Sequence, residues 1–228
     1  MAFPPPSRSA PCATLAFVQD EIESINRVRA PRVHGFLVDR DVARAAGSEP
    51  RAPEELLVAG AADRVDVGLF LDDEVVAAAA AAALHRRRAR VFARRRLDGV
   101  ACVAEGVSHF VYLATRAEAD RPVSLLELEV QAEVDKFALL LLHLWRRGLR
   151  RLSAALRRRL FERVRYRAHL APEELQRYRT ANDLAAGYAR WLEGRFVARA
   201  DADGLFRELR TTYRLGAGDK LGYLGSRC

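Results

Sequence analysis

Five ionisable side chains interrupt the most apolar stretch of the sequence. Glu105 and His109 are four residues apart, as are Glu129 and Glu133, so each pair shares one face of a predicted helix, and Lys136 follows. Carboxylates and an imidazole in a helical core are ligands that divalent iron or manganese takes. One of the carboxylates could also act as a general base. Glu105, His109, Glu129 and Glu133, the polar quartet, are the candidates for a metal-dependent enzyme or a small-ligand site.

Two other interpretations remain for the same group. Di-iron bundles use a Glu-x-x-His motif twice, whereas this sequence has a single Glu-x-x-x-His. In a structural polar network, Glu105 or Glu133 pairs with Lys136 and His109 bonds to a carboxylate, because such groups are costly to bury alone. Alternatively, the face forms a groove for a ligand or partner. We favour the network, and we assign no catalytic residue, metal ligand or cofactor.

Most of the basic charge lies in one segment. Residues 146–167 hold ten arginines and one acid, a net charge of +9 against +8 for the whole 228-residue chain, so the remainder is close to neutral. Within 149–167, predicted to be one helix, arginines recur every seven residues opposite a leucine stripe. The two arginine stripes are Arg150 and Arg157, and Arg151, Arg158 and Arg165.

A basic helix of this kind can bind the phosphates of RNA or DNA, an acidic protein or an anionic membrane surface. It can also be a solvated face, because Lys136 and Lys220 are the only lysines and the arginine bias is typical of some bacterial genomes. We predict a non-enzymatic binding or regulatory protein, with nucleic acid as the first candidate partner and an acidic protein as the second.

Hydrolase and nucleotide-loop motifs are missing from the sequence. Ser108 and His109 are neighbours on a helix and point about 100° apart, so they cannot form a dyad. The segment 216–222 lacks the Gly-Lys-Ser/Thr of a phosphate loop. The cysteines are few, far apart and odd in number, which favours a reducing cytoplasm. No signal peptide or membrane span is expected, and a homo-oligomer is left open.

The core that must position these residues is a pair of helices over 98–147, joined at Pro122. Asp98 is expected to cap the first, and the capping box from Ser124 to Glu127 opens the second. The predicted fold is α+β and predominantly α. A disordered tail (1–13) precedes an α/β region (14–97) and a helical bundle (98–228), with 14–97 and 98–228 expected to form one continuous globular unit.

The remaining elements follow from periodicity and turn residues. Helix 14–30 has a stripe of Leu15, Val18, Ile22 and Ile25. The strand and hairpin region covers about 33–71, with strands at 33–38, 56–58 and 65–71. Helices then follow from Asp72 to about residue 96, over 149–164, from Pro172, and from an Asp203 cap to about 215, before a glycine-rich tail.

Overall fold

The computed structural model describes residues 12–48, 52–61, 64–84, 94–164, 166, 168 and 170–227. The chain divides into two compact units. Unit 1 comprises Met1–Glu23 and Arg29–Thr115, and unit 2 comprises Ser24–Val28 and Arg116–Cys228. Across the described residues, helices predominate and a single small sheet is present, which confirms the α+β, predominantly α class.

A three-stranded sheet lies in unit 1. Strands β2 (Glu54–Ala61) and β3 (Arg64–Leu71) form the predicted antiparallel hairpin, and β1 (Leu37–Val38) pairs in parallel with β3. The predicted strand at 33–38 is wrong over Val33–Phe36, which forms a 3₁₀ turn. The physical reason is that the Val33 amide donates to the Gln19 side chain, at 2.9 Å, instead of to a strand.

Helices α1 (Cys12–Asn26) and α2 (Arg40–Ala45) flank this turn and strand in sequence. The predicted stripe of α1 is confirmed, because its four aliphatic side chains are 0–1% exposed. The predicted disordered tail is wrong for residues 12 and 13, which are helical, and its first eleven residues lie outside the described ones. Helix α2 is capped by Asp39, whose carboxylate accepts from the Val42 amide, and the sequence analysis missed it.

Helix α3 (Asp73–Ala82) begins after the predicted cap, Asp72. The prediction that it runs to residue 96 is wrong, because Ala83 adopts a left-handed conformation with φ of 48° and ends it. Residues 85–93 lie outside the described ones. Helix α4 (Arg94–Glu118) already includes Asp98, so Asp98 is not its cap as predicted.

The alanines of α3 allow a close approach to α4. A Cβ added at Gly99 would lie 2.7 Å from the Cβ of Ala78, so only glycine fits there. Helix α4 is also long and apolar enough to cross a membrane by length and composition, a finding that does not test the prediction of no membrane span. This evidence is weak, because 67% of its apolar window is buried inside the protein, as in an ordinary core helix.

Unit 2 contains the second predicted core helix, α5 (Leu125–Arg146). The Ser124 side chain accepts from the Glu127 amide at 3.1 Å, which confirms the predicted cap. Gly148 ends this region with a φ of +71°, a conformation that glycine adopts without strain. Helix α5 packs along α7 (Pro172–Leu192), which opens with proline in its first turn as predicted.

The rest of unit 2 differs more from prediction. Helix α6 (Ser153–Arg157) is short. Helix α8 (Ala202–Arg214) is capped by Asp201, which accepts from the Gly204 amide at 2.8 Å, and not by Asp203. The glycine-rich tail contains a further helix, α9 (Ala217–Gly225), which the sequence analysis missed.

Candidate functional site

The predicted quartet is divided between the two units. In unit 1, where Glu105 also lies, the Nδ1 atom of His109 lies 3.0 Å from Oε1 of Glu54 on β2. Gly106 makes room for this strand residue, because a Cβ at that position would lie 2.7 Å from the Glu54 Cγ. Both side chains are mostly buried, at 9% and 14% exposure. The histidine therefore does bond to a carboxylate, but to one that the sequence analysis did not select.

The other members of the quartet lie in unit 2. Lys136 Nζ is 2.8 Å from Glu133 Oε2, which is the pairing expected in a structural network. Arg177 Nε is 3.8 Å from Glu129 Oε1, a looser contact. Among the described residues, no group of three or more His, Cys, Asp or Glu side chains is arranged to hold a metal ion. The contacts described are a histidine–carboxylate hydrogen bond in unit 1 and ion pairs in unit 2.

A larger polar network is buried in unit 2 around Glu127. Arg116 and Glu127 are only 5% and 0% exposed, and Arg116 Nη2 lies 3.4 Å from Glu127 Oε1. The same guanidinium donates to the backbone carbonyls of Tyr213, at 3.0 Å, and Leu215. Lys220 on α9 places its Nζ 4.0 Å from the same Glu127 oxygen. Two cations from distant parts of the sequence therefore meet one carboxylate.

Three further side chains extend this network. Lys220 Nζ donates to Gln131 Oε1 at 2.7 Å, and Gln131 Nε2 donates to Asp135 Oδ1 at 3.0 Å. Asn26 Nδ2 donates to the same Asp135 oxygen at 2.9 Å. A buried polar network is therefore present as predicted, but none of these six side chains was among its predicted members. The available signal was the spacing of Glu127, Gln131 and Asp135, which repeats every four residues along α5.

Burial shapes the acid–base behaviour of this network. Burial, followed by the charge of Arg116, lowers the pKa of Lys220 to about 7, against the opposing effect of Glu127 and Asp135. When Lys220 is protonated, its charge and that of Arg116 match the two carboxylates, and the amides supply both donors and acceptors. Such a buried polar cluster is suited to hold the end of α4 from Arg116, together with α5 and α9, within unit 2.

The arginine segment is not the single helix that the sequence predicted. Residues Arg150–Leu152 form a 3₁₀ turn, α6 follows, and Arg158–Glu162 forms a π-helical turn. The arginines therefore do not lie on two straight stripes. Leu156 and Leu160 remain buried, which confirms the apolar side of the segment.

Arg157 does not belong to an exposed basic face, which corrects its prediction as an anion contact. It is 8% exposed, with Nε 2.8 Å from Glu193 Oε2 and Nη1 2.8 Å from Glu162 Oε1. Burial alone would lower its pKa, but the two glutamates outweigh burial and raise that pKa above the ordinary value. Arg165 lies outside the described residues. The predicted contacts that are described and exposed are Arg150, Arg151 and Arg158.

Two of these exposed arginines line a concave pocket of about 630 Å³ in unit 2. One wall is the 3₁₀ turn and the start of α6. The other is the end of α7 and the π-helical turn Glu193–Val197 that continues it. Its principal lining residues are Arg150, Arg151, Ser153, Arg190, Glu193 and Gly194.

The pocket presents a surplus of positive charge. Its three arginines are exposed, whereas its one acid, Glu193, is already paired with Arg157. Arg150 Nε donates to the Val197 carbonyl at 3.4 Å, which orients that side chain along the wall. Arg190 was not selected from the sequence, because it lies on a different helix from the arginine segment and no local pattern connects them.

A histidine near the end of α5, His143, is neutral because it is buried beside two arginines. The pKa of His143 is lowered to about 4, first by burial and then by the charges of Arg147 and Arg146. Its imidazole is therefore neutral at physiological pH.

Comparison with known proteins identifies no matching family, no similar characterised protein and no similar solved structure. What the pocket does must therefore be argued from its own residues and charges.

Proposed function

We propose that this chain is a non-enzymatic binding protein that engages nucleic acid through the pocket lined by Arg150, Arg151 and Arg190. The observation that carries the proposal is the convergence of three exposed guanidinium groups on one concavity, whose one lining acid, Glu193, is already bound to Arg157. No carboxylate among the described residues forms an ion pair with these three arginines, so their guanidinium groups are available to an external anion.

Phosphate is the anion that suits this arrangement. Arginine presents a planar fork of donors that binds phosphate oxygens in pairs, and several forks around a concavity can hold one group from different sides. The volume of about 630 Å³ lies within the range of roughly 300–1,000 Å³ in which proteins enclose small ligands. A phosphate with its sugar fits such a space, so an unpaired strand suits it better than a smooth duplex.

The positive charge around the pocket favours a polyanion over a small anion as the ligand. Arg158 is exposed on the π-helical turn, and Arg195 and Arg199 are exposed beyond α7. These side chains extend the positive charge beyond the pocket lining. A polyanion gains affinity from such an extended field because its binding releases counterions.

The test is the salt dependence of binding to a labelled, mixed-sequence, single-stranded oligonucleotide. Loss of three phosphate contacts should reduce the slope of log K against log salt by about two, since each contact contributes about 0.7 for single strands. The triple variant R150A/R151A/R190A should therefore bind about a hundredfold more weakly at 0.1 M salt. Fluorescence anisotropy between about 50 and 200 mM salt measures both quantities.

The matched control is R179A/R207A/R214A, which removes the same charge from exposed positions that do not line the pocket. Equal losses in both triple variants would show diffuse attraction and overturn the proposal. An acidic protein would be the better partner if polyglutamate of equal charge displaced the oligonucleotide at the same or a lower concentration. That result would also overturn the nucleic-acid assignment.

A further inference from the structure

A guanidinium group occupies a slot between two aromatic rings in unit 2. The Cζ atom of Arg227 lies 4.9 Å from the ring centroid of Trp191, near the end of α7, and 3.5 Å from that of Tyr223, on α9. Both distances are within the range of cation–π attraction. The slot is thus already shown to accept a planar cation.

The walls of the slot are fixed by contacts that do not involve Arg227. Trp191 stacks on Tyr188 at 5.9 Å with an interplanar angle of 12°, and it meets Phe196 edge to face at 5.5 Å. The Tyr223 hydroxyl donates to Glu208 at 2.8 Å, and the Tyr188 hydroxyl donates to the same oxygen at 3.0 Å. Since α7, α8 and α9 each hold part of the walls, the slot should persist when its occupant leaves.

Arg227 itself is held mainly by its immediate neighbours. Its Nη1 donates to the Tyr223 carbonyl at 3.3 Å and to the Ser226 hydroxyl at 2.9 Å. Its Nε is buried and makes no hydrogen bond to any described residue. Within the part of the chain that the structure describes, no carboxylate forms an ion pair with it either. The occupant therefore leaves part of its hydrogen-bonding capacity unused.

We infer that this slot is a binding site for an arginine side chain of a partner polypeptide, kept closed by Arg227. The two rings supply the attraction for a cation, and a planar guanidinium can stack on their faces. An occupant from the same chain has an effective concentration that an external arginine must exceed. A partner therefore enters only when its other contacts compensate for displacing Arg227.

This site is chemically distinct from the arginine-lined pocket. The pocket attracts anions, whereas the slot attracts cations, although Arg190 and Trp191 are neighbours at the end of α7. Adjacent helical residues point about 100° apart, so one helix end presents both side chains in different directions. Failure of one proposal leaves the other unaffected, because their probes carry opposite charges.

The experiment opens the slot by substitution and follows Trp191 fluorescence in a W145F background, which removes the second tryptophan. The probes are Gly-Arg-Gly and the same tripeptide with citrulline, which keeps the shape of arginine without its charge. The R227A chain should show saturable quenching by the arginine peptide, about tenfold tighter or more than the chain that retains Arg227. Citrulline should give no saturable change.

A second variant, R227Q, tests the inference in case R227A does not keep α9 folded. R227Q keeps much of the side chain against the rings and removes the charge, so it should also bind the arginine peptide, whereas R227K should behave like the original chain. Circular dichroism checks that helix content is retained. If neither R227A nor R227Q binds the arginine peptide more tightly, or if citrulline binds equally well, Arg227 is a structural clamp and the inference is wrong.

Discussion

Two regions of unit 2 use arginine in opposite ways. Around Glu127, Arg116 is buried and its donors meet a carboxylate and backbone carbonyls. In the pocket, Arg150 and Arg190 are exposed beside an acid that another arginine already neutralises. The comparison teaches that arginine content alone does not identify a binding surface. What matters is whether the fold supplies the counter-charge or leaves it to a partner.

The comparison is tested most severely by removing the shared carboxylate of the buried network. E127A would leave the Arg116 and Lys220 charges facing each other in the core without Glu127. We expect the free energy of unfolding to fall by about 3–5 kcal/mol, as when one partner of a buried ion pair is removed. Urea denaturation monitored by circular dichroism measures the change.

The matched control is E173A, which removes an exposed carboxylate from the first turn of α7. Its effect should stay within about 0.5 kcal/mol, apart from a small loss of helix-dipole stabilisation. A loss for E127A no larger than for E173A would mean that the network does not support the fold.

Local patterns in the sequence account for most of the secondary structure. The stripe of α1, the hairpin, the Ser124 cap and the proline at the start of α7 are all short-range signals, and the structure confirms them. The misses have short-range causes too. Two nearby aspartates competed to cap α8, and the glycines before and within α9 concealed a helix whose Lys220 and Leu224 are fully buried.

The candidate sites were less predictable because their partners are distant in sequence. Glu54 meets His109 across 55 residues, and Lys220 meets Gln131 across 89. Periodicity shows that a polar residue lies on a buried face, but it does not show which residue from another element satisfies it. The same limit hid the place of Arg190 beside Arg150 in the pocket.

Two adjacent arginines provide a sharper test with a smaller effect. R157A removes the bonds to Glu193 and Glu162 and leaves Glu193, at 13% exposure, without that guanidinium. We expect a loss of about 2–3 kcal/mol, in the range of hydrogen bonds to charged groups. R158A removes an exposed side chain next to it and should change stability by less than about 0.5 kcal/mol.

The measurement for this pair is again the denaturation midpoint and slope, with oligonucleotide binding recorded on the same samples. Arg157 should affect mainly stability and Arg158 mainly binding. Equal stability losses would remove the distinction between internal and external arginines on which the comparison depends.

The smallest expected effect is a pH dependence that only the buried region can produce. The folded-state pKa of Lys220 is about 7, below the ordinary value of 10.5, because burial and Arg116 disfavour its charge. Between these two values the unfolded chain binds more protons than the folded chain. The free energy of unfolding therefore increases as pH rises above 7, and this added stability is lost as pH is lowered to 7. We expect a gain of about 1–2 kcal/mol between pH 7 and 9.

K220M should abolish this rise, whereas K136M should retain it because Lys220 is still present. Arginine does not titrate in this range, so the pocket arginines cannot produce such a dependence. A flat profile for the unmodified chain would mean that Glu127 and Asp135 hold Lys220 fully charged. The buried network would then behave as an ordinary ion pair. The Glu127 network and the arginine-lined pocket would differ in solvent exposure, but the cations of both would stay protonated.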